Sequence, residues 1–307
     1  MPVALAVDLG GTKVEAALVD GDGAVLPSSR FRQATGGDAT SHDLVAAVTS
    51  VVRSAFESLP DDASLAGIGI GAAGPIMEDA GLVSPLNLPA WRNYPLRQLV
   101  ESIVPDAPVT LRLDGLCITL AEHWVGAARG YANVMGMVVS TGVGGGLILH
   151  GNTVSGPTGN AGHIGHVEVA GFDDPCACGG RGCLEAIASG PRTVAWAQGE
   201  GWPGATGEEL SASYRAGNPI ARRAVERSGT AIGQAIASAT SLVDLELVAI
   251  GGGFSQVTPD LFDYIRAGIA SRRFAFVTKV VVAPSGLSAD GPLIGAAALV
   301  HRASVLA

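Results

Sequence analysis

Short apolar runs separated by glycine clusters open the chain. Val3–Val7 is apolar and leads into the glycine-rich segment Asp8–Thr12, and Val14–Val19 is apolar again before the turn-forming residues Asp20–Gly23. Apolar runs bounded by glycine and aspartate are typical of buried strands. We therefore predict a β-hairpin with a glycine loop at one end and a tight turn at the other.

The same two patterns continue along the chain. Apolar positions three and four apart predict helices over Asp43–Leu59, Leu116–Ala128, Ile220–Ser241 and Gly291–Arg302. Continuous apolar runs predict strands over Leu65–Gly71, Val109–Leu113, Tyr131–Ser140, Leu147–His150 and Leu245–Ile250. Glycine clusters at Thr141–Gly146 and Gly251–Gly253 follow two of these strands. The sequence predicts an α/β protein whose ligands bind at the strand ends.

The composition is that of a globular protein rich in glycine. Of 307 residues, 48% are hydrophobic and 43 are glycine, and the formal net charge is −9. This acidic balance argues against a nucleic-acid partner, which requires a basic face. No segment has the pattern of a secretory signal, and no apolar run is long enough to span a bilayer. We therefore expect a cytoplasmic protein without a membrane partner.

Two of the glycine clusters have the composition of phosphate-binding loops. Phosphate oxygens require several converging N–H donors, and glycine lets the backbone approach them closely. Asp8–Thr12 and Thr141–Gly146 each add a threonine hydroxyl, and Asp8 is of the ligand type that binds Mg²⁺. Either loop alone is equally consistent with a tight hairpin, and neither has P-loop or Rossmann spacing. Together with Gly251–Gly253 they favour phosphate binding.

Three of the four cysteines lie close together. Cys176, Cys178 and Cys183 follow His166 in a loop rich in glycine, proline and aspartate. Three thiolates and one imidazole form the ligand set of a structural, tetrahedral zinc site. The alternative is three free thiols in a loop. Cys117 lies in an apolar helix, where a packed core thiol is expected.

Asp114 lies between the predicted strand Val109–Leu113 and the helix Leu116–Ala128. A carboxylate at such a strand end is able to face a ligand and accept a proton during phosphoryl transfer. Position alone equally favours an aspartate that caps the helix.

Five segments together resemble the ROK family of bacterial sugar kinases and repressors, along nearly the whole chain. The segments are Asp8–Lys13, Asn87–Trp91, Ser140–Gly146, Gly159–His166 and Cys176–Glu185. The resemblance implies a two-domain, actin-like ATPase (ribonuclease H-like) α/β fold with a zinc-bound loop. We expect a small domain over residues 1–115, completed by a helix at 290–307, and a larger domain with the zinc motif over 116–289. Because no DNA-binding domain precedes the first loop, the kinase branch is expected.

The resemblance also implies roles for individual residues. Asp114 is the expected catalytic base. The expected sugar-binding residues are Gly74, Asn87, Leu113, His163, His166 and Glu185. The expected nucleotide-binding residues are Asp8, Gly10, Gly11, Thr12, Lys13, Thr141, Gly142, Gly144, Gly252 and Gly253. Zinc is expected on His166, Cys176, Cys178 and Cys183, with ATP and Mg²⁺ as further cofactors, and a homodimer or homotetramer as the assembly.

Two positions depart from the family pattern. The family has Asn before the catalytic aspartate, where this chain has Leu113, which neither donates nor accepts a hydrogen bond. Many glucokinases of the family have Glu at the position of His163. N-acetylmannosamine kinases of the family have His there, as this chain does. A packing role is the alternative for that histidine.

Three functions follow from these features. The first is an ATP-dependent kinase for the 6-hydroxyl of glucose, and the second is a kinase for an amino- or N-acyl-hexose. The third is a sugar-sensing regulator with impaired catalysis. Polyphosphate is an alternative phosphate donor.

Overall fold

The structure is a computed structural model and describes residues 1–287 and 289–306. Two units are distinguished by their internal contacts. The first comprises Met1–Gly130, Gly146–Gly162 and Gly286–Ala307, and the second comprises Tyr131–Gly145 and His163–Ser285. The expected division into 1–115 with 290–307 and 116–289 differs from these units at 116–130, 146–162 and 286–289, and it stays a prediction. Ser288 and Ala307, which the predicted second domain and C-terminal helix include, lie outside the described residues.

Strands and helices alternate along the described residues. The strands are β1 Pro2–Leu9, β2 Lys13–Asp20, β3 Phe31–Ala34, β4 Ser64–Ala72, β5 Ile76–Met77, β6 Leu82–Val83, β7 Val109–Leu113, β8 Val134–Val139, β9 Val143–Leu149, β10 Asn152–Thr153, β11 Leu247–Gly251 and β12 Val281–Pro284. The helices are α1 Ser41–Glu57, α2 Leu96–Ile103, α3 Asp114–Val125, α4 Leu184–Ala188, α5 Gly190–Gly199, α6 Gly207–Arg215, α7 Pro219–Val243, α8 Asp260–Ala270, α9 Ala275–Thr278 and α10 Gly291–His301. The expected α/β class is confirmed.

The first unit is built on a five-stranded sheet with the order β3-β2-β1-β4-β7. β1 runs antiparallel to β2 and parallel to β4, which in turn runs parallel to β7. The carboxyl ends of β1, β4 and β7 therefore meet at one edge of the sheet. Asp8 lies near the end of β1, and Asp114 directly follows β7.

Both faces of β1 are covered, which explains its unbroken apolar pattern. Leu5 and its alternate neighbours pack in a cluster with α1, whereas the small residues Ala4 and Ala6 pack against α10. The approach of α10 is close, since a Cβ on Gly69 of β4 would lie 1.8 Å from the Ala296 carbonyl oxygen. Only glycine fits there.

The second unit contains the parallel strands β8, β11 and β12, in a sheet whose full order is β10-β9-β8-β11-β12. The long helix α7 begins with Asn218, whose side chain accepts hydrogen bonds from the Ile220 and Ala221 amides, and Pro219 occupies the first turn. These are ordinary start signals. Helices α4, α5, α6 and α8 pack against α7.

Several element boundaries differ from the expected ones by a few residues, and one of these differences falls on the second glycine cluster. The segment Thr141–Gly146 is expected to be a loop, but β9 begins at Val143 and includes three of its glycines. The reason is steric, because a Cβ on Gly146 would lie 2.5 Å from the Leu116 Cα atom. A glycine strand fits against the backbone of α3, where a strand with side chains would not.

Among the described residues, no helix has both the length and the apolar character needed to cross a bilayer.

Candidate active site

The first glycine loop is a tight connection between β1 and β2. The Gly10 amide donates to the Lys13 carbonyl oxygen at 2.9 Å. A Cβ on Gly11 would lie 2.7 Å from the Cβ of Asn87, so this glycine allows the Asn87 segment to approach the loop. Thr12 and Asn87 are exposed, and Gly10, Gly11 and Lys13 are half-buried. The structure therefore brings Asn87, expected on the sugar side, next to the first phosphate loop.

Asp8 is a buried carboxyl group at this loop, with 8% of its surface exposed. Burial, and after it the negative charge of Asp114, raise the pKa of Asp8 to about 7, although Lys13 acts in the opposite direction. The electrostatic effect of Asp114 requires the two carboxyl groups to be close. The expected Mg²⁺ ligand and the expected base thus belong to one site in the first unit.

Asp114 is the first residue of α3 rather than its cap. The N-cap position is Leu113, and it makes no side-chain capping hydrogen bond. One carboxylate oxygen of Asp114 accepts from the Gly115 amide at 2.7 Å. Asp114 is half-buried and lies in the first turn of α3.

The other expected sugar-side residues of the first unit differ in accessibility. Gly74 is half-buried and precedes a cis peptide bond to Pro75. Leu113 has only 1% of its surface exposed and belongs to the apolar core. Asn160, within the Gly159–His166 motif, holds the start of β5. Its side-chain oxygen accepts from the Ile76 amide at 2.9 Å, and its side-chain nitrogen donates to the Ile76 carbonyl oxygen at 2.8 Å.

A charged cluster beside the first loop was not anticipated from the sequence. Glu15 on β2 is 1% exposed and pairs with Lys13, with Arg30 at 3.0 Å and with Arg32 at 2.7 Å. Although burial acts in the opposite direction, hydrogen bonds from these three cations hold the pKa of Glu15 below its usual value. One feature of the sequence indicates such a cluster, namely a single acidic residue within an apolar strand, because a buried charge requires partners of opposite charge.

The second glycine loop is held by a carboxylate in the second unit. The Val143 amide donates to Glu185 Oε2 at 3.0 Å, and a Cβ on Gly142 would lie 2.6 Å from the same oxygen. Thr141 is exposed, and Gly142 and Gly144 are half-buried. Glu185, expected in the sugar pocket, is therefore also in contact with the expected phosphate loop.

The glycines after β11 form a turn in which Gly252 has a positive φ. Gly252 has φ +97°, and a Cβ at this position would lie 2.5 Å from the Val139 carbonyl oxygen. Gly253 begins a short 3₁₀ turn. Glycine is required at Gly252 for both reasons.

The four expected zinc ligands lie together. The ligand atoms of His166, Cys176, Cys178 and Cys183 all lie within 4.8 Å of one another. The Cys176 sulfur is 3.6 Å from His166 Nδ1, and the Cys178 and Cys183 sulfurs are 3.6 Å apart. With zinc–ligand distances of about 2.0–2.3 Å, the ligands of a tetrahedral ion lie at such separations. The donor set and its geometry fit zinc.

His163 lies against this cluster. Its ring stacks on His166 with centroids 5.0 Å apart and an angle of 15° between the planes. Burial lowers the pKa of His163, as does His166, whereas Glu185 opposes the shift. The Nδ1 atom of His163 is buried and has no hydrogen-bond partner within the part of the chain that the structure describes.

Comparisons with known proteins agree along nearly the whole chain. A sequence model described as "ROK family" matches residues 4–303. An N-acetylmannosamine kinase of Yersinia pseudotuberculosis is 32% identical, with 98% of this chain and 99% of that protein covered. A kanosamine kinase of Amycolatopsis mediterranei is 31% identical over 97% and 96%.

A solved structure of similar fold contains both a sugar and a nucleotide analogue. The Streptomyces griseus ROK family glucokinase, in complex with glucose and AMPPNP, has a TM-score of 0.84 and is 29% identical, covering 98% of this chain and 99% of that one.

Proposed function

The chain belongs to the ROK family, and on that premise we propose that it is an ATP-dependent sugar kinase that phosphorylates the 6-hydroxyl group of a hexose. Relatives that are similar over nearly their full length include kinases of glucose, N-acetylmannosamine and kanosamine. The actin-like two-domain fold that the sequence predicts is part of this proposal.

The observation that carries the proposal is the pair of carboxyl groups Asp8 and Asp114 at the first glycine loop. Phosphoryl transfer to an alcohol requires one base near the hydroxyl group and one centre that neutralises phosphate charge. We assign the base to Asp114. Its carboxylate accepts the hydroxyl proton while the sugar oxygen forms a bond to the terminal phosphorus and the bond to the leaving diphosphate breaks.

Asp8 is the group that would hold Mg²⁺. A carboxylate is a preferred ligand of this cation, directly or through water. Burial and Asp114 both favour the protonated form of Asp8, and a cation beside it would reverse that preference. When bound, Mg²⁺ supplies charge neutralisation at the phosphates.

The remaining nucleotide contacts are assigned loop by loop. In the first unit, they come from the Gly10–Lys13 segment, whose backbone turns tightly. In the second unit, they come from the Thr141 hydroxyl and the Gly142 and Gly144 amides, because the Val143 amide is already bound by Glu185. Gly252 and Gly253 are assigned to the adenosine part.

Structural zinc is assigned to His166 and the three clustered cysteines. When bound, the ion closes the loop that contains them. It also fixes the His166 ring, on which His163 stacks. His163, His166 and Glu185 are the proposed sugar contacts of the second unit, with Gly74 and Asn87 in the first, whereas Leu113 is buried in the apolar core.

The sugar is proposed to be either glucose or a hexose with an amino or N-acyl substituent. Two positions support the second class. Leu113 is buried and apolar where the family pattern has a hydrogen-bonding Asn. His163 presents an imidazole with an unpaired nitrogen where many glucokinases have a carboxylate. A substituent that pairs with this nitrogen would gain affinity.

A substrate panel tests the proposal. ADP release is measured with glucose, mannose, N-acetylmannosamine, N-acetylglucosamine and amino-deoxyglucoses, with ATP and then with polyphosphate as donor. Turnover with one of these sugars is expected. Binding of a sugar without any turnover would favour the sugar-sensing regulator instead. Light scattering on the same preparation tests the expected homodimer or homotetramer.

A further inference from the structure

The loop that contains the three clustered cysteines has little apolar content of its own. This metal loop, residues 169–183, is closed near its ends by a hydrogen bond from the Val169 amide to the Gly182 carbonyl at 2.8 Å. Around the cysteines, the Cys176 amide bonds Gly180 at 3.0 Å, and the Gly179 amide bonds Cys176 at 3.0 Å. Most of its side chains are exposed or half-buried. Its position must therefore depend on a small number of attachments.

Arg227 on α7 makes the most extensive of these attachments. One guanidinium nitrogen donates to Asp174 Oδ2 at 2.6 Å, and another donates to the carbonyl oxygen of Ile187 in α4 at 3.3 Å. The side chains of Arg227 and Asp174 are only 16% and 25% exposed. Solvent screens such a partly buried pair much less than a surface pair.

The same guanidinium group lies against two aromatic rings. Its central carbon is 5.0 Å from the ring centroid of Phe172 in the metal loop and 5.4 Å from that of Trp196 in α5. A planar cation stacks favourably on aromatic faces at these distances. Arg227 thus contacts two residues of the loop together with the two helices that follow it.

The adjacent aspartate provides a contrast. Asp173 pairs with Arg181 at 3.4 Å, but these side chains are 92% and 66% exposed. Both residues of this second pair belong to the metal loop itself. It therefore does not attach the loop to a helix, and its energy is that of an ordinary surface pair.

We propose that Arg227 is a positioning residue that holds the metal loop against α4 and α5 and thereby slows release of the bound metal. The inference rests on the proposed zinc site. α4 also carries Glu185, which bonds the Val143 amide of the second glycine loop. The contact at Ile187 therefore fixes the metal loop relative to α4, the helix that holds the second glycine loop.

The test compares zinc release from matched variants of the full chain. Zinc-loaded wild-type protein, Arg227→Met and Asp174→Asn are mixed with excess chromogenic chelator, beside the controls Arg181→Met and Asp173→Asn. Removing supporting contacts around a metal site weakens binding roughly 10–100-fold. We expect release about tenfold faster or more in the first two variants and wild-type rates in the two controls. Arg227→Lys, which keeps the charge but not the planar group, should be intermediate.

The zinc content of wild type tests the proposed zinc site, and the release rates of the variants test the role of Arg227. A wild-type protein that binds no stoichiometric zinc would overturn both. Zinc-loaded wild type with equal release rates in all variants would overturn the role of Arg227 alone. Equal acceleration in the controls would do the same, because it would show general loosening of the loop.

Denaturant unfolding is measured in parallel, since a merely structural role would lower global stability without accelerating release from the folded state. If Arg227→Met does not fold, Asp174→Asn retains the arginine and its ring contacts and gives the same comparison.

Discussion

Asp8 and Glu15 lie directly opposite each other on the antiparallel strands β1 and β2. Both carboxyl groups are buried, with 8% and 1% of the residue surface exposed. Like charges at opposite positions destabilise a strand pair. The two groups differ in their surroundings. Lys13, Arg30 and Arg32 surround Glu15 and keep it ionised, whereas burial raises the pKa of Asp8.

Replacing Glu15 by Gln should destabilise the protein. The variant leaves three partly exposed cations around a neutral side chain, and losing hydrogen bonds between charged groups costs about 1.5–3 kcal/mol. The measurement is the free energy of unfolding in urea. Glu101→Gln, which breaks the more exposed Arg97–Glu101 pair, is the control and should cost less than about 1 kcal/mol. Equal effects of the two substitutions would contradict the role given to the Glu15 cluster.

The strands that carry the Glu15 cluster are predictable from the sequence, but the ion pairs of Glu15 are not. The apolar runs predicted β1 and β2, because both strands are buried on both faces. The partners of Glu15 could not be found in the same way, since Arg30 and Arg32 belong to the short segment around β3, which has no apolar periodicity. By contrast, the His166 and cysteine cluster was predictable, because ligand chemistry and spacing are visible in the chain itself.

Asp8 should make stability fall as pH rises. Its pKa is about 7 in the folded protein and about 3.9 in an unfolded chain. Between these values the folded state binds the proton and the unfolded state does not, so rising pH costs folded stability. Below about pH 4 both states are protonated, and above about pH 7 both are ionised, so the loss occurs between them.

The measurement is the difference in unfolding free energy between wild type and Asp8→Asn, without added magnesium. Groups that titrate in both proteins cancel, and the wild type should lose a few kcal/mol relative to the variant between about pH 4 and pH 7. A difference that is independent of pH would show that Asp8 is not held in its neutral form.

Gly146 and Gly144 give a matched pair within the second glycine segment. A Cβ on Gly146 would lie 2.5 Å from Leu116 Cα and 2.7 Å from the Gly115 carbonyl oxygen, whereas a Cβ on Gly144 meets no heavy atom within 4 Å. Gly146→Ala should therefore destabilise the protein by about 1–3 kcal/mol, and Gly144→Ala should stay within about 0.5 kcal/mol of wild type. Thermal unfolding measures both. A tolerated Gly146→Ala would mean that β9 and α3 are not in close backbone contact.

Asp114→Asn tests the proposed base. The amide keeps the size of the side chain but accepts no proton, so kcat should fall roughly 10²–10⁴-fold. Sugar binding, measured by calorimetry, should change little, since the lost interaction acts on the reacting hydroxyl group in the transition state. Near-normal turnover would assign the base to another residue.

His163→Phe tests the unpaired imidazole nitrogen. The buried Nδ1 atom has no partner among the described residues, and leaving such a group unsatisfied costs about 1–3 kcal/mol. Phenylalanine keeps a ring that stacks on His166 but removes the unsatisfied atom. The variant without ligand should therefore be as stable as wild type or more so.

If His163 contacts the sugar, bound sugar should stabilise wild type more than His163→Phe. The best substrate of the panel should raise the melting temperature of wild type more than that of His163→Phe, and the KM of the variant should rise while kcat changes less. His42→Phe, at an exposed position on α1, controls for added apolar surface. Equal melting shifts and an unchanged KM in His163→Phe would leave His163 a packing residue and remove it from the sugar site.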